Sequence, residues 1–215
     1  DEADRITDTG YSYDEYGRTV TVPASDAGGQ QLTSTYFTND RVRTLAQNGI
    51  THTFSPDPID RVRTRATNGQ PDEVHHYADD SDAPSWIDEG GSDGDWSRFA
   101  SSVGGSLSAV QQGNSGGTTG VAYQISDIHG DVRAETNSSG TIAGFYAADE
   151  FGVPQSDIPD SGYGWLGGKE RIAQLGSGAI TMGQRVYLPA LGRFLQVDPV
   201  EGGSATDYDY VNQDP

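Results

Sequence analysis

The stretch Arg185-Val186-Tyr187-Leu188-Pro189-Ala190-Leu191-Gly192-Arg193-Phe194-Leu195-Gln196-Val197-Asp198-Pro199-Val200-Glu201-Gly202-Gly203, followed by Asp207-Tyr208-Asp209-Tyr210, decides the fold. Val186, Leu188, Phe194 and Val197 supply apolar faces. Pro189, Gly192, Pro199 and the Gly202-Gly203 pair interrupt them. That alternation predicts a strand, a turn, a second strand and a second turn.

Working outward, the same grammar runs through the chain. Tyr11-Ser12-Tyr13-Asp14-Glu15-Tyr16-Gly17-Arg18 precedes Thr19-Val20-Thr21-Val22, a β-branched run that predicts a strand after a turn at Asp14–Gly17. Tyr36-Phe37-Thr38-Asn39-Asp40-Arg41 leads into Val42-Arg43-Thr44-Leu45, and Phe54-Ser55-Pro56-Asp57-Pro58-Ile59-Asp60-Arg61 into Val62-Arg63-Thr64. Tyr77-Ala78-Asp79-Asp80 and Tyr146-Ala147-Ala148-Asp149-Glu150-Phe151-Gly152 are further copies. The leading aromatics fall at 13, 36, 54, 77, 123 and 146, a period near 23 with one gap of 18. A fixed period of that size marks stacked units, each too small to bury its own face. The expectation is that these aromatics stack across the sheet and that each Asp and Arg binds turn backbone or its partner.

Composition narrows the function classes. Of 215 residues 33% are hydrophobic and 29 are glycine, and the mean hydropathy is −0.62. That is lean beside the about 45–50% apolar content of ordinary domains, and fits hairpins with one wet face. The 11 Tyr, 6 Phe and 3 Trp argue against disorder. The net charge of −19 repels nucleic acid and anionic membranes, so neither is expected as a partner. There is no Cys, hence no disulfide or thiol chemistry. No apolar run reaches transmembrane length, and no signal-like segment opens the chain.

The middle of the chain offers chemistry that competes with plainer readings. Asp79, Asp80, Asp82, Asp88, Glu89, Asp93 and Asp95 suit a hard cation such as Ca²⁺, but without an ordered ligand ladder a solvated loop is preferred. Trp96, Phe99, Val103 and Leu107 have helical spacing, yet Gly104-Gly105 cuts it, so strands are expected. Gly113-Asn114-Ser115-Gly116-Gly117 resembles the segment around the nucleophile of trypsin-like proteases, and His52 precedes it. A hairpin turn running into a linker over 116–120 is the better reading. His75-His76 point to opposite strand faces and cannot share an ion, and with His52 and His129 they are read as structural. Asn137-Ser138-Ser139-Gly140 makes a turn, and Ile142, Phe145 and Phe151 are expected on strands.

Several segments resemble one family. The closing stretch has the spacing Y-x-P-x-L-G-R-F-L-x-x-D-P-x-x-G-G of the core of RHS (rearrangement hotspot) proteins. Tyr13 to Arg18 resembles the Y-D-x-x-G-R of YD repeats. Asp127-Ile128-His129-Gly130-Asp131-Val132-Arg133 is similar to the D-x-x-G-x-v-R before the RHS core, and Tyr163–Lys169 and Gly178–Tyr187 are also family-like. The resemblance is most like that of bacterial, and among them actinobacterial, members. It implies an all-β fold, a spiralled antiparallel sheet of long β-hairpins, with YD-like repeats over 1–122 and an RHS-associated core over 123–215.

The resemblance also implies a function. Such shells enclose a C-terminal polypeptide cargo in toxin systems, so this chain is expected to encapsulate or present a toxin-like cargo at or beyond the cell surface. Its partners would be that cargo, upstream YD repeats and other chains of a secretion or toxin complex. Some members cut the cargo loose with an aspartic-protease-like core. Arg185 and Asp198 match that core's arginine and first aspartate, and two carboxyls sharing a proton would do the chemistry. The second aspartate belongs after residue 215, and Thr206-Asp207 stands where the family has an Asn before Tyr-x-Tyr. The autoprotease site is therefore expected to be incomplete, and a structural ion pair is the alternative. A third reading is a glycan-binding module using exposed Trp96 or Trp165. No cofactor other than Ca²⁺ is expected.

Overall fold

The computed structural model describes residues 1–156, 159, 161–200, 205–211 and 215. They are almost entirely strand and turn, with 3-10 turns at Ala24–Asp26, Gly167–Lys169 and Pro189–Leu191. Strands β1 (Ser12–Tyr13), β2 (Thr19–Val22), β3 (Leu32–Tyr36), β4 (Val42–Gln47), β5 (Ile50–Pro56), β6 (Val62–Thr67) and β7 (Glu73–His76) come first. They are followed by β8 (Trp86–Gly90), β9 (Asp95–Ser101), β10 (Leu107–Asn114), β11 (Gly117–Ser126), β12 (Val132–Asn137) and β13 (Ile142–Phe145). All thirteen lie in one antiparallel sheet in chain order, without a crossover. A second antiparallel sheet orders β14 (Ala173–Gln174), β15 (Ala179–Met182), β16 (Arg185–Leu188) and β17 (Arg193–Phe194) in the same way. The all-β, antiparallel hairpin expectation holds.

The chain divides into two compact units. One contains 1–53, 150–153 and 173–215, the other 54–149 and 154–172. Strand β5 belongs to both, since Ile50 to Thr53 pair with β4 in the first unit.

The turns explain why the strands end where they do. At 14–18, 37–41, 57–61, 102–106, 127–131 and 137–141 the first residue's N–H donates to the carbonyl of the fifth, and the fourth residue's N–H returns to the first carbonyl. The fourth position has positive φ throughout: Gly17, Asp40, Asp60, Gly105, Gly130 and Gly140. Only Gly, or an Asn or Asp that bonds locally, takes that conformation at low cost. Where the first residue is Asp or Asn, its Oδ1 accepts N–H groups from inside the turn. Asp14 takes those of Tyr16 and Arg18, Asp57 those of Ile59 and Arg61, and Asn137 those of Ser139 and Thr141. Asp127 takes those of His129, Gly130 and Asp131.

The arginine completes the device. Arg18, Arg61 and Arg133 each donate Nε–H to Oδ2 of their own turn's aspartate, at 2.7, 2.9 and 2.6 Å. Two of them also reach forward. Arg18 Nη1 donates to the Phe37 carbonyl and to Asp40 Oδ1, and Arg61 Nη1 to the carbonyls of Asp79 and Ser81. The Tyr36 ring lies 4.9 Å from the Arg18 guanidinium carbon and its hydroxyl donates to the Thr19 carbonyl. The Tyr77 ring lies 3.9 Å from that of Arg61 and its hydroxyl donates to the Val62 carbonyl. Tyr36 and Tyr77 thus repeat a ring-over-guanidinium contact, where ring-on-ring stacking was expected. A planar cation between rings and carbonyls gains from both at once.

In the first unit Val22, Leu32, Leu45, Val186, Leu188 and Leu195 are buried almost completely. Gln47, 5% exposed, is one of the polar residues buried with them. Its Nε2 donates to the carbonyls of Ala27 and Gln30, and its Oε1 accepts the Ser177 N–H at 2.7 Å. In the second unit Leu107, Val110, Val132 and Tyr163 form the core, with Phe99, Tyr146 and Ile172 against it.

Three local expectations change. Val197 lies beyond β17, which ends at Phe194, because the Leu195 carbonyl accepts the Thr19 N–H of β2 (2.7 Å) instead of continuing its own ladder. Phe151 sits in a turn, not on a strand, with its carbonyl taken by the Tyr187 hydroxyl at 2.7 Å. Residues 117–120 begin β11 instead of forming a linker, since Thr118 pairs with Gly113 and Gly120 with Gln112. The Gly202-Gly203 break lies outside the described residues.

The turn geometry predicts a specific asymmetry at Asp127. Asp127→Asn keeps the Oδ1 acceptor, as Asn137 does in its own turn, and loses the charge and the Oδ2 acceptor facing the half-exposed Arg133. It should cost under about 1 kcal/mol. Asp127→Ala strands the His129 and Asp131 amides, while the Gly130 N–H keeps the Asp127 carbonyl, and should cost about 2 kcal/mol or more. Urea unfolding of the two variants checks the order.

Candidate functional site

Arg185 opens β16 and Asp198 follows β17. The structure brings them together. Arg185 Nη1 is 3.0 Å from Asp198 Oδ2, and the guanidinium carbon lies 3.7 Å from the centre of the Phe194 ring. Burial lowers the Arg185 pKa, and the Asp198 charge opposes that shift. The other carboxylate oxygen, Oδ1, accepts the Val200 N–H at 2.9 Å, and the Asp198 N–H donates to the Asp207 carbonyl at 2.7 Å. Both carboxylate oxygens are thus engaged in holding the turn.

Nearby, the Asp207 backbone N–H donates to Asp4 Oδ2, and the buried Asp209 pairs with Arg193 through the backbone in an isolated antiparallel bridge. Asp214 lies outside the described residues. Beside the pair sits Gln196, 1% exposed, which the sequence reading passed over. Its Oε1 accepts the Val186 N–H and its Nε2 donates to the carbonyls of Asp40 and Gln184. A polar residue between Leu195 and Val197 was the available signal.

The remaining candidates separate cleanly. In the acidic stretch Asp82 pairs with Arg171 (2.6 Å), Asp79 Oδ1 accepts the Ser81 N–H and Asp88 Oδ1 that of Gly90. Among the described residues no group of three or more acidic or histidine side chains is arranged to hold a metal ion. His76 stacks on Trp86 at 3.8 Å, and His129 Nδ1 lies 2.9 Å from Asp131 Oδ1. Ser115 sits at the tip of the β10–β11 hairpin, where Asn114 Oδ1 accepts the Gly116 N–H. Gly113 is required there, since a Cβ would fall 2.2 Å from the Trp96 ring. Trp165 is 5% exposed, so it is no sugar platform.

Glu170 departs strongly from ordinary carboxylate behaviour. Glu170 is largely buried and its Oε2 has no hydrogen-bond partner. Burial pushes its pKa up to about 7; Arg171 opposes this, and Asp82 and Asp79 add to it. The folded chain therefore binds this proton more tightly than the unfolded chain, and stability falls as pH rises from about 4.5 to about 7. Glu170→Gln should raise stability at pH 8 by about 1–2 kcal/mol, allowing for solvent screening, and leave it unchanged at pH 4. Urea titrations at the two pH values check this. For the hairpin pair, Asp198→Ala should cost about 2–3 kcal/mol, because Arg185 is left half-buried and unpaired. A double-mutant cycle with Arg185→Met should return a coupling of about 1 kcal/mol or more.

No protein-family model matches the chain, and no curated protein matches it. Solved structures do. A TcdB2-TccC3-Cdc42 structure aligns with a TM-score of 0.50 at 12% identity, over 95% of this chain and 15% of that one. A Tc holotoxin pore of Photorhabdus luminescens aligns with a TM-score of 0.45 at 14% identity, over 95% of this chain and 12% of that one. The chain thus spans less than a fifth of the proteins it is similar to. At this identity the likeness concerns fold alone, an antiparallel β architecture.

Proposed function

We propose that this chain is part of the wall of an RHS-like β-shell that encloses or presents a polypeptide cargo. The observation that carries the reading is the strand order. Thirteen antiparallel strands follow the chain without a crossover, and Arg18 and Arg61 each tie their own turn to a later one. Such a sheet grows by adding hairpins, satisfies its backbone along the whole run and leaves few open edges. The fold likeness to a toxin-complex chain supports the same reading. In it, residues 1–122 supply YD-like repeats and 123–215 the end of the shell. The cargo, neighbouring repeats and other chains of the complex are the partners, and the working place is outside the cell. Among the described residues no helix is long and apolar enough to cross a membrane.

Arg185 and Asp198 serve here to close the hairpin. Asp198 Oδ2 faces Arg185 at the start of β16 and its Oδ1 accepts the Val200 N–H, which supports this hairpin-closing role. Electron-microscopic imaging of the full-length protein containing this chain tests the shell. A hollow particle whose C-terminal segment resists added protease until the particle is denatured is the expected result. A filled particle, or a C-terminal segment digested as fast as the unfolded chain, overturns it.

A further inference from the structure

Residues 161–172 form a strap on the second unit, and its two halves are held differently. In the first half Ser161 Oγ donates to Glu135, Tyr163 belongs to the core, and the Gly164 carbonyl accepts the Val132 N–H at 2.9 Å. The Leu166 N–H donates to Asp131 Oδ1 at 2.9 Å and the Gly168 N–H to the Gly130 carbonyl at 2.8 Å. In the second half the N–H groups of Lys169, Glu170 and Arg171 bond only inside the strap, to the carbonyls of Leu166 and Gly167. A single turn of this kind is not stable by itself. Its docking depends on the side chains of Arg171, which donates to Asp82 at 2.6 and 3.2 Å, and Ile172, which packs against the core. Both ends of the turn are also strained, since Leu166 and Glu170 have φ of 52° and 58° without being glycine.

Glu170 sits badly in this half. Its Oε2 is enclosed and has no hydrogen-bond partner. The cation that opposes its burial is Arg171, already engaged in a two-point contact with Asp82, while Asp82 and Asp79 add negative charge. Tyr163 is the further titratable group of the strap that feels Glu170, and it also faces Arg65, Glu73 and Glu89. Arg65 is paired with Glu73 at 2.6 Å, and Glu89 accepts from Ser97 Oγ. Lys169 lies along Gly130. Strands β10 and β11, against which the Gly167–Lys169 turn packs, carry no charged residue. An ionised Glu170 would thus be an enclosed charge beside two other carboxylates, with one guanidinium to share.

We infer that residues 169–172 form a pH-gated latch, docked while the Glu170 carboxyl carries its proton and released when that carboxyl ionises. Burial, the largest cause, pushes the Glu170 pKa up to about 7 in the docked state, above the ordinary 4.5. Docking is therefore fully supported below the ordinary value, and that support is lost as pH rises through about 7. Release is local, because the first half keeps its backbone bonds to Val132 and Gly130. The latch stands on the geometry of the second unit and does not depend on the shell reading.

Amide hydrogen exchange of the 215-residue chain, read by NMR and corrected for intrinsic rates, tests it. Protection of the Glu170 and Arg171 amides should fall about tenfold or more between about pH 5 and about pH 8, while the Val132 amide keeps its protection. Glu170→Gln should hold the latch docked at both pH values, and Arg171→Gln should loosen it at both. Equal loss of protection at Val132 and Arg171 would mean global unfolding and overturns the latch. So does a pH dependence that survives Glu170→Gln, full protection in Arg171→Gln, or a carboxyl NMR titration that places Glu170 in the ordinary carboxylate range.

Discussion

The turn aspartate and its arginine are the constraint on which the rest of the structure depends. Asp14, Asp57 and Asp127 each spend one carboxylate oxygen on turn amides and the other on an arginine. The first contact fixes the turn and so the register of the strands beside it. The second fixes the arginine, whose remaining donors are free to reach another turn. A local rule thus becomes a medium-range one, because a guanidinium has five donors in a rigid plane and can serve two turns at once. Charge alone would not do this, since exposed ion pairs contribute little. The strength lies in fixed geometry and in the backbone groups that would otherwise go unpaired.

The same logic governs the buried amides. Gln47 and Gln196 are almost completely enclosed, yet each has its oxygen and its nitrogen bonded to backbone. They act as cross-braces in a lean protein, where 33% hydrophobic composition limits how much apolar burial can specify the fold. Gln124 has the same chemistry with one bond missing. Gln47 and Gln196 are satisfied internally, whereas the buried Gln124 Oε1 has no hydrogen-bond partner.

Aromatic residues were legible as a repeat but not as contacts. The positions of Tyr36 and Tyr77 relative to Arg18 and Arg61 follow from the motif, whereas the ring-over-guanidinium geometry depends on how the neighbouring hairpin lies. Trp165 illustrates the reverse case. Its sequence context, between glycines and before Lys169, gives no hint of burial, and only the approach of other segments encloses it.

The sequence by itself determined the strands, the turns and their spacing. Those depend on neighbours within five residues: an Asp or Asn to accept turn amides, a Gly or Asp that tolerates positive φ, and β-branched alternation after it. It also brought Arg185 and Asp198 forward as a pair by family resemblance. What only the tertiary structure decided is which distant group each polar side chain meets. The partner of Gln47 is 130 residues away at Ser177, Arg171 finds Asp82, and Ser161 joins Glu135. Pairings across such distances follow from loop closure and packing of the whole unit, and no local pattern of residues encodes them.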